Sequence, residues 1–323
     1  MVRDALTFGA LTAFVQYVGR FFRPIRDLSD KFNELQDAMA SSERIFALLD
    51  EPVENEKPGP SVKFNPRGSI RFEDVHSSYD GVTQVLKGVS FEIPPGKTTA
   101  IVGPTGAGKT TLISLLYQFY HPTAGRISVD GIDIQNIPPK DLRRSMAIVQ
   151  QDVFLFSGTI EDNIRLFDDR VDEEQLHTAT HTSNADYFIR RLPRGLSTPV
   201  HDKGSGFSSG ERQLLAIARA LAFSPDILVL DEATASVDSE TEALIQEAHR
   251  ALLKDRTAVV IAHRLSTIRS ADQIIVLQNG RVAERGTHAE LIEMQGIYAR
   301  LNWNQFGNGA SQQPIPCGKN DKR

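Results

Sequence analysis

Three short runs of this chain, TTAIV, ILVLD and TAVVI, are apolar with little alternation of polar and apolar positions. Strands buried on both faces of a parallel sheet read this way, because neither face meets water. Helical segments separate them, so the pattern predicts an α/β fold around a parallel core sheet. Two earlier stretches, SIRFEDVHSSY and VLKGVSFEI, carry antiparallel signals and predict an antiparallel β subdomain. Near the end, IIVLQNGRVAE predicts a hairpin whose Asn279-Gly280 pair suits a tight turn with positive φ.

The first residues differ in kind. Residues 6–22 (LTFGALTAFVQYVGRFF) are largely apolar but fall short of the roughly 20 that a clean membrane span needs, and they include Gln16 and Arg20. Two readings stand: an amphipathic core helix, or a membrane helix whose cytoplasmic end is marked by Arg20, Arg23, Arg26 and Lys31. Pro24 is expected to kink the start of a further helix, in which Leu28, Phe32, Leu35, Met39, Ile45 and Leu49 keep near-helical spacing. The proline-rich EPVENEKPGPSVKFNPRG then reads as an exposed linker. The expected organisation is a partial membrane domain over residues 1–50, a linker over 51–68, the α/β domain over 69–302 and a polar, disordered tail over 303–323.

At 323 residues, with 40% apolar and 24% charged positions, the chain has room for a real core. Its net charge of -5 and sequence pI near 5.9 speak against a nucleic-acid partner, which wants a clustered positive field. The single cysteine, Cys317, leaves no disulfide framework and no thiolate metal cluster, as fits a reducing cytosol.

The candidate chemistry begins at GPTGAGKT, residues 103–110, which follows TTAIV and precedes TLISLLYQF, where Leu112, Leu115, Leu116 and Phe119 are expected on one helical face. This is the context of a phosphate loop: Gly103, Gly106 and Gly108 let backbone N–H groups curl around phosphate oxygens, and a helix N-terminus adds its dipole. Lys109 supplies a point charge to the β and γ phosphates, and Thr110 a hydroxyl to Mg²⁺. ILVLD ends in Asp231, followed by Glu232, at the sheet edge where open α/β sheets place their ligands. Asp231 is expected to hold Mg²⁺ through its water shell, and Glu232 to orient or deprotonate the attacking water. His263 closes the next strand at the same edge, as a γ-phosphate contact or a structural histidine. Gln151 reads on its own as a loop residue, and Tyr79 as an adenine-stacking ring or a space-filling tyrosine.

FSSGERQ, residues 207–213, changes the picture. Taken with the preceding motifs, it resembles the nucleotide-binding domain of an ABC transporter over about residues 69–302, a P-loop NTPase fold with a parallel core sheet, an antiparallel β subdomain and a helical subdomain. The resemblance makes Gly103, Pro104, Thr105, Gly106, Ala107, Gly108, Lys109, Thr110 and Thr111 the Walker A site for ATP, and ILVLDE the Walker B strand. It makes Gln151 the Q-loop glutamine, at the metal beside Thr110 and Asp231, and His263 the switch histidine. It makes Tyr79 the A-loop aromatic and residues 235–238 (ASVD) the D-loop. Ser208, Ser209, Gly210 and Glu211 become the signature motif, which opens the helix ERQLLAIARALA and caps the γ-phosphate bound to a second chain. Two such chains are then expected to close head to tail around two ATPs, with a homodimer favoured over a heterodimer.

FFRPIRDLS and SSERIFALLDE resemble the last membrane helix and cytoplasmic extension of an exporter-type half-transporter, which places the chain at the plasma (inner) membrane with its nucleotide-binding domain in the cytoplasm. The earlier membrane helices are expected to be missing from this sequence, so the transported substrate stays open among lipid, drug and peptide. TPVHDKG, residues 198–204, departs from the family's usual TEVGERG and puts coupling, rather than hydrolysis, in question. Other readings are a soluble ABC ATPase, an importer's ATPase subunit and a truncated fragment that binds ATP without transporting.

Overall fold

The computed structural model describes residues 7–51, 64, 66–150, 152–231, 239–262 and 264–306. The chain divides into two units, residues 1–56 and 57–323. The described residues of the first form one helix, α1 (Phe8–Leu49), capped by Thr7, whose hydroxyl accepts from the Ala10 N–H at 3.3 Å. Pro24 lies inside it, so the two helical stretches expected on either side of the proline form one element. An interior proline removes one backbone hydrogen bond, here the one to Arg20, and the helix formers on both sides carry the chain past it. All described residues of α1 are exposed. Among the described residues no helix is long and apolar enough to cross a membrane, since Gln16, Arg20, Arg23 and Arg26 interrupt the apolar run of α1.

The second unit is built on two sheets. The antiparallel one joins β1 (Ile70–Ser78), β2 (Gln84–Ile93), β4 (Ala124–Val129) and β5 (Ile132–Asp133) in the order β2-β1-β4-β5. The central one has the order β12-β11-β3-β10-β9-β6, where β3 is Thr98–Val102, β6 Met146–Val149, β9 Ile227–Asp231, β10 Thr257–Ile261, β11 Gln273–Gln278 and β12 Arg281–Gly286. Its first five strands in chain order are mutually parallel and β12 adds an antiparallel edge. The predicted turn between β11 and β12 has Asn279 at φ 50° and Gly280 at φ 77°, as a primed hairpin turn requires.

Alternate side chains of each buried strand serve opposite faces, and the core divides accordingly. Ala100, Val102, Leu228, Leu230, Ala258 and Val260 pack with Leu214, Leu215, Ile217 and Ala218 of α7 (Ser209–Ala222). Ile101, Val229, Val259 and Ile261 pack on the other face with Leu112, Leu115 and Leu116 of α2 (Lys109–Leu116) and with Ile70, Phe72, Val89 and Phe91 of the antiparallel sheet. Every one of these strand positions is buried, which is why the runs show little alternation. Truncating any one such Leu or Ile to Ala costs about 2–5 kcal/mol.

Helix α2 ends earlier than its apolar pattern suggests. Leu112, Leu115 and Leu116 are buried as expected, but Phe119 lies beyond the helix and is exposed. The chain turns away at Gln118, whose φ is 54°. A helical subdomain assembles around α7, which packs against α4 (Ile160–Arg165), α5 (Glu173–Thr182) and α8 (Ser239–Leu253). The short helix α6 (Asp186–Ile189) and a two-stranded ribbon of β7 (Gly158–Thr159) with β8 (Pro199–Val200) complete it. Two further helices, α3 (Pro139–Arg144) and α9 (Leu265–Ser270), flank strands β6 and β10, and α10 (His288–Glu293) and α11 (Ile297–Phe306) follow β12. Helix α11 takes up residues 303–306 of the expected tail, and the rest of that tail and most of the predicted linker lie outside the described residues.

Candidate functional site

Strand register brings the site's ends together. Ile261 of β10 sits level with Ile101 of β3 on one side and with Asp231 of β9 on the other. The phosphate loop therefore leaves β3 just above the level at which Asp231 ends its own strand. Two glycines of the loop are set by close approach. A Cβ at Gly103 would lie 2.2 Å from the carbonyl oxygen of Leu277 in β11, and one at Gly108, with φ 101°, would lie 2.6 Å from a methyl of Leu86 in β2. The loop is thus held between the two sheets by contacts that only glycine allows.

Gly108 is the N-cap of α2, and no side chain caps the helix start. Its first N–H groups and positive dipole end suit an anion. The Lys109 side chain folds back over the loop: Nζ donates to the carbonyl oxygens of Gly103 at 2.8 Å and Pro104 at 3.0 Å. Burial pushes the Lys109 pKa below the usual lysine value, while the negative charge of Asp231 works in the opposite direction. The partly desolvated lysine charge favours an anion, which the nearby Asp231 carboxylate opposes unless a cation stands between them. Thr110 is exposed beside it, and Pro104, Thr105 and Gly106 form the exposed rim of the loop, whereas Ala107 and Thr111 are buried.

Tyr79 follows β1, and the structure ties it to the phosphate helix: its hydroxyl donates to Thr111 Oγ1 at 3.0 Å. Its ring is packed edge-to-face with Tyr120, centroids 4.8 Å apart, and stays 51% exposed. The adjacent turn is fixed by Asp80, whose carboxylate accepts from the N–H groups of Thr83 at 2.6 Å and Val82 at 2.9 Å and from the Ser78 hydroxyl at 2.9 Å. These bonds, the Thr83 one foremost, hold the Asp80 carboxyl well below the ordinary range.

The signature segment lies at the tip of α7. Ser208 is its exposed N-cap; its hydroxyl accepts from the Glu211 N–H at 3.2 Å, and the Glu211 carboxylate accepts from the Ser208 N–H at 2.8 Å. In this chain Glu211 thus satisfies its own helix end, as a capping-box residue does. Ser209 begins the helix and Gly210 is buried in its first turn. Further along, the Arg219 guanidinium donates to the Asn163 carbonyl at 2.9 Å, which ties α7 to α4. Gln151, Glu232, residues 235–238 and His263 lie outside the described residues.

Three side chains escaped the sequence reading. Tyr120 and Asp80 flank Tyr79, and the Asp80-Gly81 pair is a turn signal that could have pointed to it. Arg264, which follows His263, pairs with Glu242 of α8 and so links the end of β10 to the helix that follows the predicted D-loop. No sequence pattern marks that pair.

A glycine loop between a buried parallel strand and an uncapped helix start, with a carboxylate level with it across the sheet, places the molecule among P-loop nucleotide-binding proteins. Residues 86–235 match the family model described as ABC transporter. It is 46% identical over 302 residues to an ABC transporter ATP-binding protein of Bacillus subtilis, YfiC, a match covering 93% of this chain and 50% of the relative. It is 45% identical over 296 residues to a fatty acid ABC transporter ATP-binding/permease protein of Mycobacterium bovis, covering 92% of this chain and 47% of that one. A solved bacterial Atm1-family ABC exporter with ATP bound superposes with a TM-score of 0.76 at 38% identity, over 96% of this chain and 55% of that chain. The chain spans about half the length of the curated relatives it matches. Over residues 86–235 the chain has an ABC-type nucleotide-binding fold.

Proposed function

We propose that this chain is the ATP-driven engine of an exporter-type half-transporter, in which two copies close head to tail around two nucleotides. In each half of the pair, the phosphate loop of one copy holds the triphosphate and the Ser208 tip of α7 from the other covers the γ-phosphate. The observation that carries the reading is the α7 tip itself. Ser208 stands exposed at the start of a 14-residue helix on the helical subdomain, with Ser209 and Glu211 of the first turn partly exposed, while the phosphate loop belongs to the junction of the two sheets. A helix start with an exposed serine is suited to an anion that another surface presents.

The donor set fits Mg²⁺, which takes hard oxygen ligands and is usually held by one or two carboxylates plus substrate phosphates. Thr110 offers an exposed hydroxyl and Asp231 a carboxylate at the strand end, and no group of three or more metal-ligating side chains occurs among the described residues. The ion would neutralise charge between the β and γ phosphates. Within this reading, Lys109 exchanges its loop carbonyls for phosphate oxygens, Tyr79 stacks on the adenine, and Glu232 takes the proton of the attacking water. Gln151 joins Thr110 and Asp231 at the metal, and His263 contacts the γ-phosphate. Closing the pair on ATP and reopening it after hydrolysis would move the membrane part, with α1 as the connecting helix, because the nucleotide binds the closed state more tightly.

Mixing two disabled copies tests this. Lys109→Ala lacks a working phosphate loop and Ser208→Arg lacks a working tip, so a mixed dimer contains one site built from two intact halves. ATP turnover in the mixture well above that of either variant alone supports the shared site. A mixture no more active than its components overturns it.

A further inference from the structure

Tyr79 and Tyr120 come from separate parts of the chain, and each is anchored independently before they meet. Tyr79 is held at its hydroxyl by Thr111 and at its backbone side by the Asp80 turn. Tyr120 stands on a segment that is fixed at both ends. Before it, the left-handed Gln118 buries its amide and donates to the Ile134 carbonyl, Arg143 donates to the carbonyls of Tyr117 at 2.9 Å and Gln118 at 3.1 Å, and the same guanidinium lies over the Phe119 ring at 5.1 Å. After it, the Thr123 N–H donates to the His76 carbonyl of β1 at 2.9 Å. The two rings then cross at 87° with centroids 4.8 Å apart, and each tyrosine is still about half exposed, at 51% and 50%.

Neither ring fills a core, so the anchoring buries little apolar surface. It does define a ring plane. A stacking ring free to rotate about its χ angles loses that freedom when a base lies on it, and this loss weakens binding; a ring already held loses less. We infer that Tyr120 is a positioning residue for the nucleobase: its edge-to-face contact, with the Thr111 hydrogen bond, fixes Tyr79 in the orientation that receives a flat purine. This rests on the reading of Tyr79 as the base-stacking residue. Tyr120 acts on the base through Tyr79 and leaves the triphosphate to the glycine loop.

The test separates base from phosphate. Affinities of the full chain for ATP and for inorganic tripolyphosphate are measured by calorimetry for wild type, Tyr79→Ala, Tyr120→Ala and Tyr120→Phe. An aromatic pair is worth enough to predict a loss of about two- to tenfold in ATP affinity for Tyr120→Ala. Tripolyphosphate affinity is expected to stay unchanged, and Tyr120→Phe, which keeps the ring, is expected to behave as wild type. A Tyr120→Ala chain that binds ATP normally overturns the inference, as does one that loses ATP and tripolyphosphate equally. If Tyr79→Ala weakens ATP while Tyr120→Ala does not, only the positioning role fails. If Tyr79→Ala also binds ATP normally, the base-stacking reading fails with it.

Discussion

The ammonium of Lys109 donates to the Gly103 carbonyl at 2.8 Å, so the loop's cation is held by the backbone that the glycines bend around it. A nucleotide therefore replaces neutral acceptors with charged ones rather than ordering a free side chain. Charge-assisted hydrogen bonds contribute about 1.5–3 kcal/mol, so Lys109→Ala is expected to weaken ATP binding by about tenfold to a hundredfold. Equilibrium titration with ATP reads this directly, and unchanged affinity would remove Lys109 from the site.

Glu232→Gln is expected to keep ATP binding and to lower turnover by about 10²–10⁴, the usual contribution of a general base. The amide preserves size and polarity but cannot take a proton. Sedimentation with ATP should show a stable pair of copies, and turnover near the wild-type rate would reassign the base.

Ser208 caps α7, and covering a γ-phosphate across the pair would be a second, separable duty. Removing the hydroxyl in Ser208→Ala takes away the cap of α7 and should cost about 0.5–2 kcal/mol of stability. Ser208→Asn keeps a capping side chain and should restore most of that. If Ser208 also covers a γ-phosphate across the pair, both variants lose hydrolysis while ATP binding to a single copy is kept. Thermal melts and turnover measured side by side distinguish the two duties, and a Ser208→Asn chain with full activity would leave only the cap.

His249, in α8, is 4% exposed, and its pKa is pushed down to about 4, first by burial and then by the charge of Arg264, with Glu242 acting against both. A folded-state value below the unfolded one near 6.5 means that the unfolded chain binds more protons between them. Stability should therefore rise as pH increases from about 4 to about 6.5, by about 1.4 kcal/mol per unit of displacement. Urea denaturation across this range should show the slope in the wild type and a flatter profile in His249→Leu. An equal slope in both would assign the effect to other groups.

Much of the sheet was legible because burial on both faces leaves a mark in the residues themselves. Val259 and Val260 face opposite sides of β10, both sides are core, and the string TAVVI says so. The hairpin at Asn279-Gly280 was legible because few other residues take positive φ there. Helix α2 was read too long, since Phe119 continues its apolar spacing, but Gln118 turns the chain to bury its amide against Ile134 and Phe119 is left outside. Local propensity disfavours proline in a helix, which is why Pro24 is expected to start a further helix with a kink, but a helix of 42 residues runs through it and absorbs one missing bond.

The sequence by itself determined the chemistry on offer: a glycine loop with Lys109, a strand ending in Asp231, and a serine-led helix at Ser208. Their types and order along the chain carry that information, since each depends on local backbone geometry. Only the tertiary structure decided that Asp231 and the loop leave the sheet at one level, that Tyr79 is tied to Thr111, and that Tyr120 lies against it. Those relations join residues far apart in sequence, and they are set by strand register and by packing between the two sheets, neither of which any local pattern encodes.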